Sequence, residues 1–248
     1  MHSDLLTFKL QKDQLPGKDR ISKMILKSTS VVDLIASDLL DIAKGTYTTA
    51  SPEWQNGSCS DVLYISRLGI QKPLPPILIE VQLIVNEAFM QRLLQYCQIV
   101  QQLYKTYPLV LVFCTDKLSP STLITKFKPV NNKPWMQSII CCDFWAKSCY
   151  LMSKSTLSIE EPDVSIPPLL ALSTFLLEQS PTLYGHSHPH HPTIQMLYRL
   201  AKESIEVEGE KEQGFVDIVD VICSNNERLL HKVEDPLTNV PGTLKTKK

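Results

Sequence analysis

The stretch from Pro76 to Cys114 limits the possible folds more than any other part of the sequence. It begins with an apolar, β-branched segment, Pro76 to Leu83, continues with a long helical pattern, and ends in the uninterrupted apolar run Leu109 to Cys114. Such a run is typical of a strand that is buried on both faces of a sheet. A strand, a helix and a second strand in this order form a crossover unit, so we expect the two strands to be parallel in one sheet.

The segments before this stretch extend the predicted sheet. Apolar residues at helical spacing predict a helix over Ser30–Lys44, which Gly45 is well placed to end. Thr46–Thr49 is a short β-prone run, and Ser51–Ser60 has the composition of a loop. Asp61–Leu68 and the strand at Pro76–Leu83 then predict a β-hairpin with an irregular turn.

The helical pattern of the crossover covers Asn86–Tyr107, where apolar residues are separated mostly by three or four positions and Pro108 follows. Ser138–Phe144 predicts one more strand, for which an edge position is open. Helical spacing returns in three later segments, Pro167–Gln179, Pro192–Val207 and Phe215–His231.

The predicted fold is therefore α/β, with a mixed central sheet flanked by helices and a helical C-terminal portion. We expect an α/β core over residues 1–152, which includes an N-terminal extension of about residues 1–29. Residues 153–234 would form the helical portion packed on this core, and residues 235–248 a flexible tail.

Charge and composition limit the possible functions. A formal net charge of −1 means that contacts with nucleic acid depend on local lysines and arginines rather than on an overall field. Met1–Arg20 mixes charged with apolar residues, and no run approaches the roughly 20 apolar residues that span a bilayer. Several of the seven cysteines lie in apolar runs, which is typical of reduced thiols. We expect an intracellular protein, nuclear or cytoplasmic, that is neither secreted nor in a membrane.

The strand at Pro76–Leu83 carries two polar side chains on one face. Because side chains alternate along a strand, Glu80 and Gln82 project to the side opposite Val81. A buried carboxylate is costly unless it is paired or bound to a metal. Asp61 opens the preceding strand, and antiparallel pairing would bring its carboxylate close to that of Glu80. Carboxylates on neighbouring strands suit Mg²⁺, with water and a substrate phosphate completing its shell.

Three segments carry a recognisable pattern when they are taken in order. They are Asp61-Val62-Leu63-Tyr64, then Ile77-Leu78-Ile79-Glu80-Val81-Gln82, then Met90-Gln91-Arg92-Leu93-Leu94-Gln95-Tyr96. The pattern resembles the PD-(D/E)xK nuclease superfamily. It is most similar to the recombination-promoting nuclease and transposase-like branch, in which Gln replaces the usual Lys and Arg-x-x-x-Tyr follows on the next helix. The resemblance covers about residues 31–144 and implies a restriction-endonuclease-like core.

The resemblance implies a metal-dependent deoxyribonuclease, an endonuclease of transposase or mobile-element origin that hydrolyses DNA phosphodiester bonds. Asp61 and Glu80 would bind Mg²⁺ or Mn²⁺, and Gln82 would position the attacking water. Glutamine can orient water by hydrogen bonding but supplies no positive charge to the transition state. DNA is the expected partner. A homodimer fits the resemblance, because many nucleases that cut both strands are dimers, but no feature of the sequence establishes one.

Arg92 and Tyr96 are four residues apart and so share a helix face. By the resemblance, the Arg92 guanidinium would bind a phosphate and the Tyr96 hydroxyl would form a hydrogen bond beside the metal. Without the resemblance, Arg92 is a solvated surface residue and Tyr96 a core residue. Many members of the superfamily also use an acid from the first helix. Three acids are available there, and no motif selects among them: Asp33, Asp38 and Asp41.

A second group of chemically active residues lies in Gly185–Pro192, which holds four histidines: His186, His188, His190 and His191. Histidine-rich tracts can bind transition metals, but this one contains two prolines and lacks helical spacing and a cysteine pair. We therefore interpret it as a polar linker that leads into the next helix. Cys141, Cys142 and Cys149 lack C-x-x-C spacing, and we interpret them as packing residues of a strand.

Two other functions stay open. A non-catalytic interaction protein could keep the nuclease fold and bind a partner through its helical C-terminal portion, in which case protein hydrogen bonds would satisfy Glu80. An unrelated α/β domain could carry Glu-x-Gln by accident, with Asp61 and Glu80 more than about 10 Å apart. The sequence contains no P-loop, dinucleotide-binding glycine fingerprint, G-x-S-x-G motif or zinc-finger spacing. The absence of these motifs excludes most other classes of enzyme.

Overall fold

The structure is a computed structural model that describes residues 5–54, 57–67, 74–157 and 166–207, together with Cys223. Within these residues one mixed sheet has seven strands: β1 Tyr47–Ala50, β2 Val62–Ser66, β3 Ile77–Asn86, β4 Leu109–Ser119, β5 Phe127–Val130, β6 Lys133–Ile139 and β7 Ser148–Ser153. Their order across the sheet is β1-β2-β3-β4-β7-β6-β5. The central strands β3, β4 and β7 are parallel and the outer pairs are antiparallel. The predicted α/β class with a mixed sheet is confirmed.

Helices cover both faces of this sheet. They are α1 Asp19–Leu26, α2 Thr29–Leu40, α3 Glu87–Tyr104 and α4 Pro168–Glu178, and residues 192–207 are also helical (α5). On one face, α3 packs Phe89 and Leu93 against Val110 of β4. The alternate residues of β4, such as Leu111 and Phe113, are equally buried and point to the opposite face. Helix α4 packs against β4 there.

The crossover β3-α3-β4 forms as the sequence predicts. The Asn86 side chain caps α3 by accepting a hydrogen bond from the Phe89 N–H (2.9 Å), and Lys105 ends the helix in the left-handed conformation (φ 58°). Strands β3 and β4 are parallel, with Glu80 beside Val112. Strands β2 and β3 form the predicted antiparallel hairpin. The carboxylate-bearing strand is therefore central, with β2 on one side and β4 on the other.

The predicted strand at Ser138–Phe144 is wrong. Strand β6 ends at Ile139, and Phe144 is in a turn with 85% of its surface exposed. The apolar run that suggested a strand instead packs a loop, because Cys142 enters the core beside α3. Strand β6 is also internal, since β5 and β7 flank it. The flanking strands β5 and β7 were both missed. A proline in β5, and another in β6, disfavours a strand prediction for those two segments.

The C-terminal helices predicted at Pro167–Gln179 and Pro192–Val207 are present as α4 and α5. The predicted helix at Phe215–His231 and the tail at 235–248 lie outside the described residues, apart from Cys223.

The chain divides into two compact units, Met1–Lys202 and Glu203–Lys248. The sheet and α4 therefore belong to one unit, and the division into 1–152 and 153–234 stays a prediction. In the second unit the structure describes 203–207, which are helical, and Cys223. No helix among the described residues is long and apolar enough to cross a membrane.

Candidate functional site

Asp61 and Glu80 are opposite each other where the β2–β3 hairpin opens. Val62 and Ile79 are the last paired residues of the two strands. Beyond them, hydrogen bonds from backbone N–H groups to the side chains of Asp61 and Glu80 replace those between the two backbones. The Asp61 N–H donates to Glu80 Oε1 (3.2 Å), and the Val81 N–H donates to Asp61 Oδ2 (2.8 Å). The structure thus brings the two carboxyl groups together, unlike the arrangement expected of an accidental motif. We call this pair the carboxylate site.

Burial dominates the electrostatics of the carboxylate site. Glu80 is only 3% exposed, and this burial, followed by the charge of Asp61, raises its pKa to about 8. Burial also raises the pKa of Asp61, although the Val81 N–H and Lys23 oppose the change. At neutral pH Glu80 therefore holds a proton unless a cation balances its charge.

Helix α1 contributes a cation to this site. Lys23 Nζ lies 3.4 Å from Asp61 Oδ1 and 2.7 Å from Asp19 Oδ1. Ile21 and Ile25 are buried on the same helix and fix its position. Partial burial lowers the pKa of Lys23, but the hydrogen bond to Asp19 and the charge of Asp61 outweigh this effect and raise it.

One feature of the sequence could have indicated this contribution. Asp19 and Lys23 have the spacing of an ion pair on a helix, with Ile21 and Ile25 as an apolar pair on the same segment. The segment falls in the predicted N-terminal extension, where the basic residues, Lys23 among them, are open as phosphate contacts or as solvated charge, and none is assigned to the site.

Gln82 and Arg92 form a contact between β3 and α3. The Arg92 guanidinium donates to Gln82 Oε1 (3.0 Å) and lies over the Phe89 ring, 5.4 Å from its centroid. Both members of this contact are at the surface. The register of β3 against β4 shifts directly after Gln82. Such strand irregularities are common next to active sites. The Gln82 carbonyl is thus used within the protein, and its NH₂ is the end available for a ligand.

Tyr96 is buried, and its hydroxyl donates to the Cys59 carbonyl (2.9 Å). Burial raises the pKa of Tyr96, and the charge of Glu80 adds to this effect. The Trp54 ring lies 6.4 Å from the Tyr96 ring, so both side chains fix the loop before β2. Tyr96 is therefore close enough to the carboxylate site to be affected by the charge of Glu80, but its hydroxyl is bonded to a loop.

Three unpaired buried polar atoms lie in segments that also carry or contact residues near the carboxylate site. Among the described residues, four buried polar side-chain atoms have no hydrogen-bond partner: Ser22 Oγ, Trp54 Nε1, Ser60 Oγ and His186 Nε2. Three belong to its segments, because Ser60 precedes Asp61, Ser22 precedes Lys23, and Trp54 packs on Tyr96. Such atoms are rare and costly in folded proteins. The two adjacent carboxyl groups themselves fit a divalent cation.

The three acids suggested for the first predicted helix have other contacts. Asp33 Oδ1 accepts a hydrogen bond from the Gly45 N–H (2.6 Å), and Asp38 pairs with Lys133 of β6. Asp41 ends α2 in the left-handed conformation (φ 50°). The acid linked to the carboxylate site is instead Asp19, through Lys23.

The interpretation of the histidine segment as a polar linker is incomplete. His186 is buried, and Glu178, His186 and His188 bring one ligand atom each to within 4.8 Å of one another. We call these three residues the histidine site. No spacing in the sequence indicated it, because Glu178 comes from α4 and the histidines from a later loop. Within the described residues, this is the one cluster of at least three His, Cys, Asp or Glu groups that could share a metal ion.

Comparison with known proteins found no match: no protein family, no curated protein and no solved structure is similar to the chain at a significant level. Function is therefore inferred from the geometry of the chain's own residues.

Proposed function

We propose that the chain is a metal-dependent deoxyribonuclease of the PD-(D/E)xK type, with the carboxylate site as its active centre. The observation that carries the proposal is the burial of Glu80 against Asp61 on a central strand. Two carboxyl groups in this arrangement are unfavourable unless a proton or a cation compensates them, which is why the pKa of Glu80 is raised. Mg²⁺ or Mn²⁺ bound by both carboxylates would provide that compensation.

Each neighbouring group has a role in this mechanism. When bound, the divalent cation would supply a Lewis acid for the phosphate and lower the pKa of a water. Asp61 and Glu80 would hold it through carboxylate oxygens. The Lys23 ammonium, 3.4 Å from Asp61, provides the positive charge that Gln82 lacks. Gln82 orients water through its NH₂, because its carbonyl accepts from Arg92.

DNA would be held by local positive charge. Arg92 is exposed on α3, four residues before Tyr96, and its guanidinium keeps further N–H donors beside the one bonded to Gln82. A phosphate could accept from these donors in the bidentate manner that guanidinium favours. The chain's net charge of −1 makes such local contacts necessary. A transposase-like origin and a homodimer stay predictions from the resemblance, and a nuclear or cytoplasmic location stays a prediction from composition.

A second candidate function is that of a non-catalytic interaction protein with the nuclease fold. One observation favours it: protein groups already satisfy part of the carboxylate site. Glu80 accepts the Asp61 N–H, Asp61 accepts the Val81 N–H and pairs with Lys23. A decayed nuclease that no longer binds metal would keep such contacts.

Cleavage of supercoiled plasmid by the full-length chain separates the two candidates. Nicking should require Mg²⁺ or Mn²⁺, stop with EDTA, and be lost in Glu80→Gln and Asp61→Asn, which preserve side-chain shape. Asp143→Asn is the matched control, because Asp143 is an exposed acid in the turn before β7, and it should cut like the parent. If the folded parent does not cut at any of several salt concentrations, the nuclease proposal is wrong and the interaction protein is favoured.

A further inference from the structure

The histidine site lies where α4 ends. Glu178 is the last residue of α4, and Gln179 follows in the left-handed conformation (φ 57°). A helix C-terminus carries partial negative charge, so a carboxylate there is unfavourable and a cation is favourable. The carboxylate is nevertheless held in place, because the Ser187 N–H donates to Glu178 Oε2 (3.0 Å) and the Ser187 hydroxyl donates to Oε1.

His186 points a polar atom at this carboxylate from the protein interior. Its side chain is completely buried, and Nε2 lies 3.5 Å from Glu178 Oε2 without forming a hydrogen bond. Its ring packs edge-on against Tyr198, with centroids 6.4 Å apart. Burial lowers the pKa of His186 to about 4, so the ring is neutral at pH 7, the form in which imidazole binds metals. The buried Nε2 and the Glu178 carboxylate therefore face each other without a good hydrogen bond, as two ligands of one cation could.

Of the other three histidines in the segment, one lies close to His186 and two have contacts elsewhere. His188 is partly exposed, and its ring lies 6.1 Å from that of His186. His191 uses both ring nitrogens, since Nδ1 accepts from the Thr193 N–H (3.2 Å) and Nε2 contacts the Ile166 carbonyl (3.0 Å). His190 is exposed, with its ring near that of Tyr184.

We propose that Glu178, His186 and His188 bind a first-row transition-metal ion, with Zn²⁺ as the best-fitting ion. Two imidazoles and one carboxylate are typical Zn²⁺ ligands, and water would complete the tetrahedron. Mg²⁺ prefers oxygen ligands, which this site does not provide in sufficient number. The bound ion would join the end of α4 to the loop that precedes α5. This assignment does not depend on nuclease activity.

The geometry requires a small rearrangement. Ligand atoms at about 2.0–2.1 Å from Zn²⁺ are separated by about 3.4 Å in a tetrahedron. Glu178 and His186 already have this separation at 3.5 Å, whereas the full set spans up to 4.8 Å. His186 Nδ1 now accepts the His188 N–H (3.0 Å). Binding through Nε2 moves the ring proton to Nδ1, so the His188 amide must turn away and this part-buried hydrogen bond is lost.

Zinc titration of the full-length chain, after EDTA treatment and dialysis, tests the assignment by calorimetry and by competition with a chromophoric zinc indicator. His188→Ala and Glu178→Gln change side chains that are not fully buried, so both variants should fold, which circular dichroism checks. His190→Ala is the matched control, because it removes an exposed histidine from the same loop. Glu80→Gln controls for zinc at the carboxylate site.

The parent should bind one Zn²⁺ at this site, and His188→Ala and Glu178→Gln should each weaken that binding at least tenfold. His190→Ala and Glu80→Gln should bind it within twofold of the parent, and Mg²⁺ should not compete. The assignment is overturned if the parent binds Zn²⁺ no more tightly than His188→Ala and Glu178→Gln do, or if His190→Ala is weakened as much as they are. Failure here would leave plasmid cleavage unaffected, so the two proposals fail separately.

Discussion

The carboxylate site and the histidine site each contain one buried side chain that could bind a metal, Glu80 and His186, yet they are built differently. The carboxylate site belongs to two adjacent strands, and its ligands are oxygens whose charges repel. The histidine site joins a helix end to a loop and combines one carboxylate with neutral imidazole. Of the four unpaired buried side-chain atoms of the described residues, one, His186 Nε2, belongs to the histidine site and none to the carboxylate site. Ligand type separates the metals that each site would bind.

The largest expected difference between the two regions is in catalysis. Glu80→Gln and Asp61→Asn should lower Mg²⁺-dependent nicking at least 100-fold, because each removes a charged metal ligand. His188→Ala and Glu178→Gln should leave the nicking rate within twofold of the parent. Equal losses from both pairs of variants, measured on the same plasmid, would show that the regions are not independent.

The next largest effect is on stability as a function of pH in metal-free protein. The pKa of Glu80 rises from an ordinary 4.5 to about 8 on folding, so its carboxyl binds a proton more tightly in the folded state. The contribution of this tighter proton binding to the free energy of unfolding is complete below pH 4.5 and is lost as the pH rises through about 8. The free energy of unfolding should therefore fall by a few kcal/mol across this window, at about 1.4 kcal/mol per pKa unit.

Urea denaturation in EDTA between pH 4.5 and 8.5 measures this dependence. Glu80→Gln should flatten the curve, since glutamine does not titrate, and its advantage over the parent should grow with pH. Mg²⁺ should restore the parent's stability at the alkaline end. Parallel curves for parent and variant would contradict the account of a strained buried carboxyl at Glu80.

A smaller effect is expected from the ion pair of α1. Lys23→Met removes the cation beside Asp61 and should lower the free energy of unfolding by about 1 kcal/mol at pH 7, because the lysine is partly exposed and solvent screens it. Lys27→Met, at an exposed position just after the same helix, should change stability by less. A larger loss in Lys27→Met would show that Lys23 acts only through general surface charge.

The smallest effect concerns Arg92. Arg92→Ala should change the free energy of unfolding by less than about 1 kcal/mol, as its contact with Gln82 is at the surface. It should weaken DNA binding. The slope of the logarithm of the binding constant against the logarithm of the salt concentration should become shallower by about one, the value of a single phosphate contact. Gln95→Ala, an exposed change on the same helix, is the control. An unchanged salt dependence in Arg92→Ala would show that Arg92 does not contact a DNA phosphate.

Local patterns predicted the centre of the fold well. Helix α3 has a helical periodicity, and the hairpin strands and β4 are compact apolar segments, so the meeting of Asp61 and Glu80 followed from strand pairing alone. Strand β6 was misplaced because the apolar run around Cys142 packs as a loop. Such a run satisfies burial in either conformation, and only tertiary packing decides between them.

The missed site residues share a different cause. Lys23 comes from a helix of only eight residues, α1, and reaches Asp61 across a long stretch of chain. Glu178 and His186 likewise come from separate elements. Contacts of this kind arise when helices dock on the sheet, and no local spacing encodes them. Residues from one strand or one helix face, such as Glu80 with Gln82, could be predicted because backbone geometry alone aligns them.

Binding of Mn²⁺ to the full-length chain, followed by electron paramagnetic resonance, tests the carboxylate site most directly because it does not require the natural DNA target. Parent and His188→Ala should bind one Mn²⁺ with similar affinity, and Glu80→Gln and Asp61→Asn should lose most of that binding. Equal Mn²⁺ binding by the parent and both carboxylate variants would contradict the assignment of Asp61 and Glu80 as metal ligands.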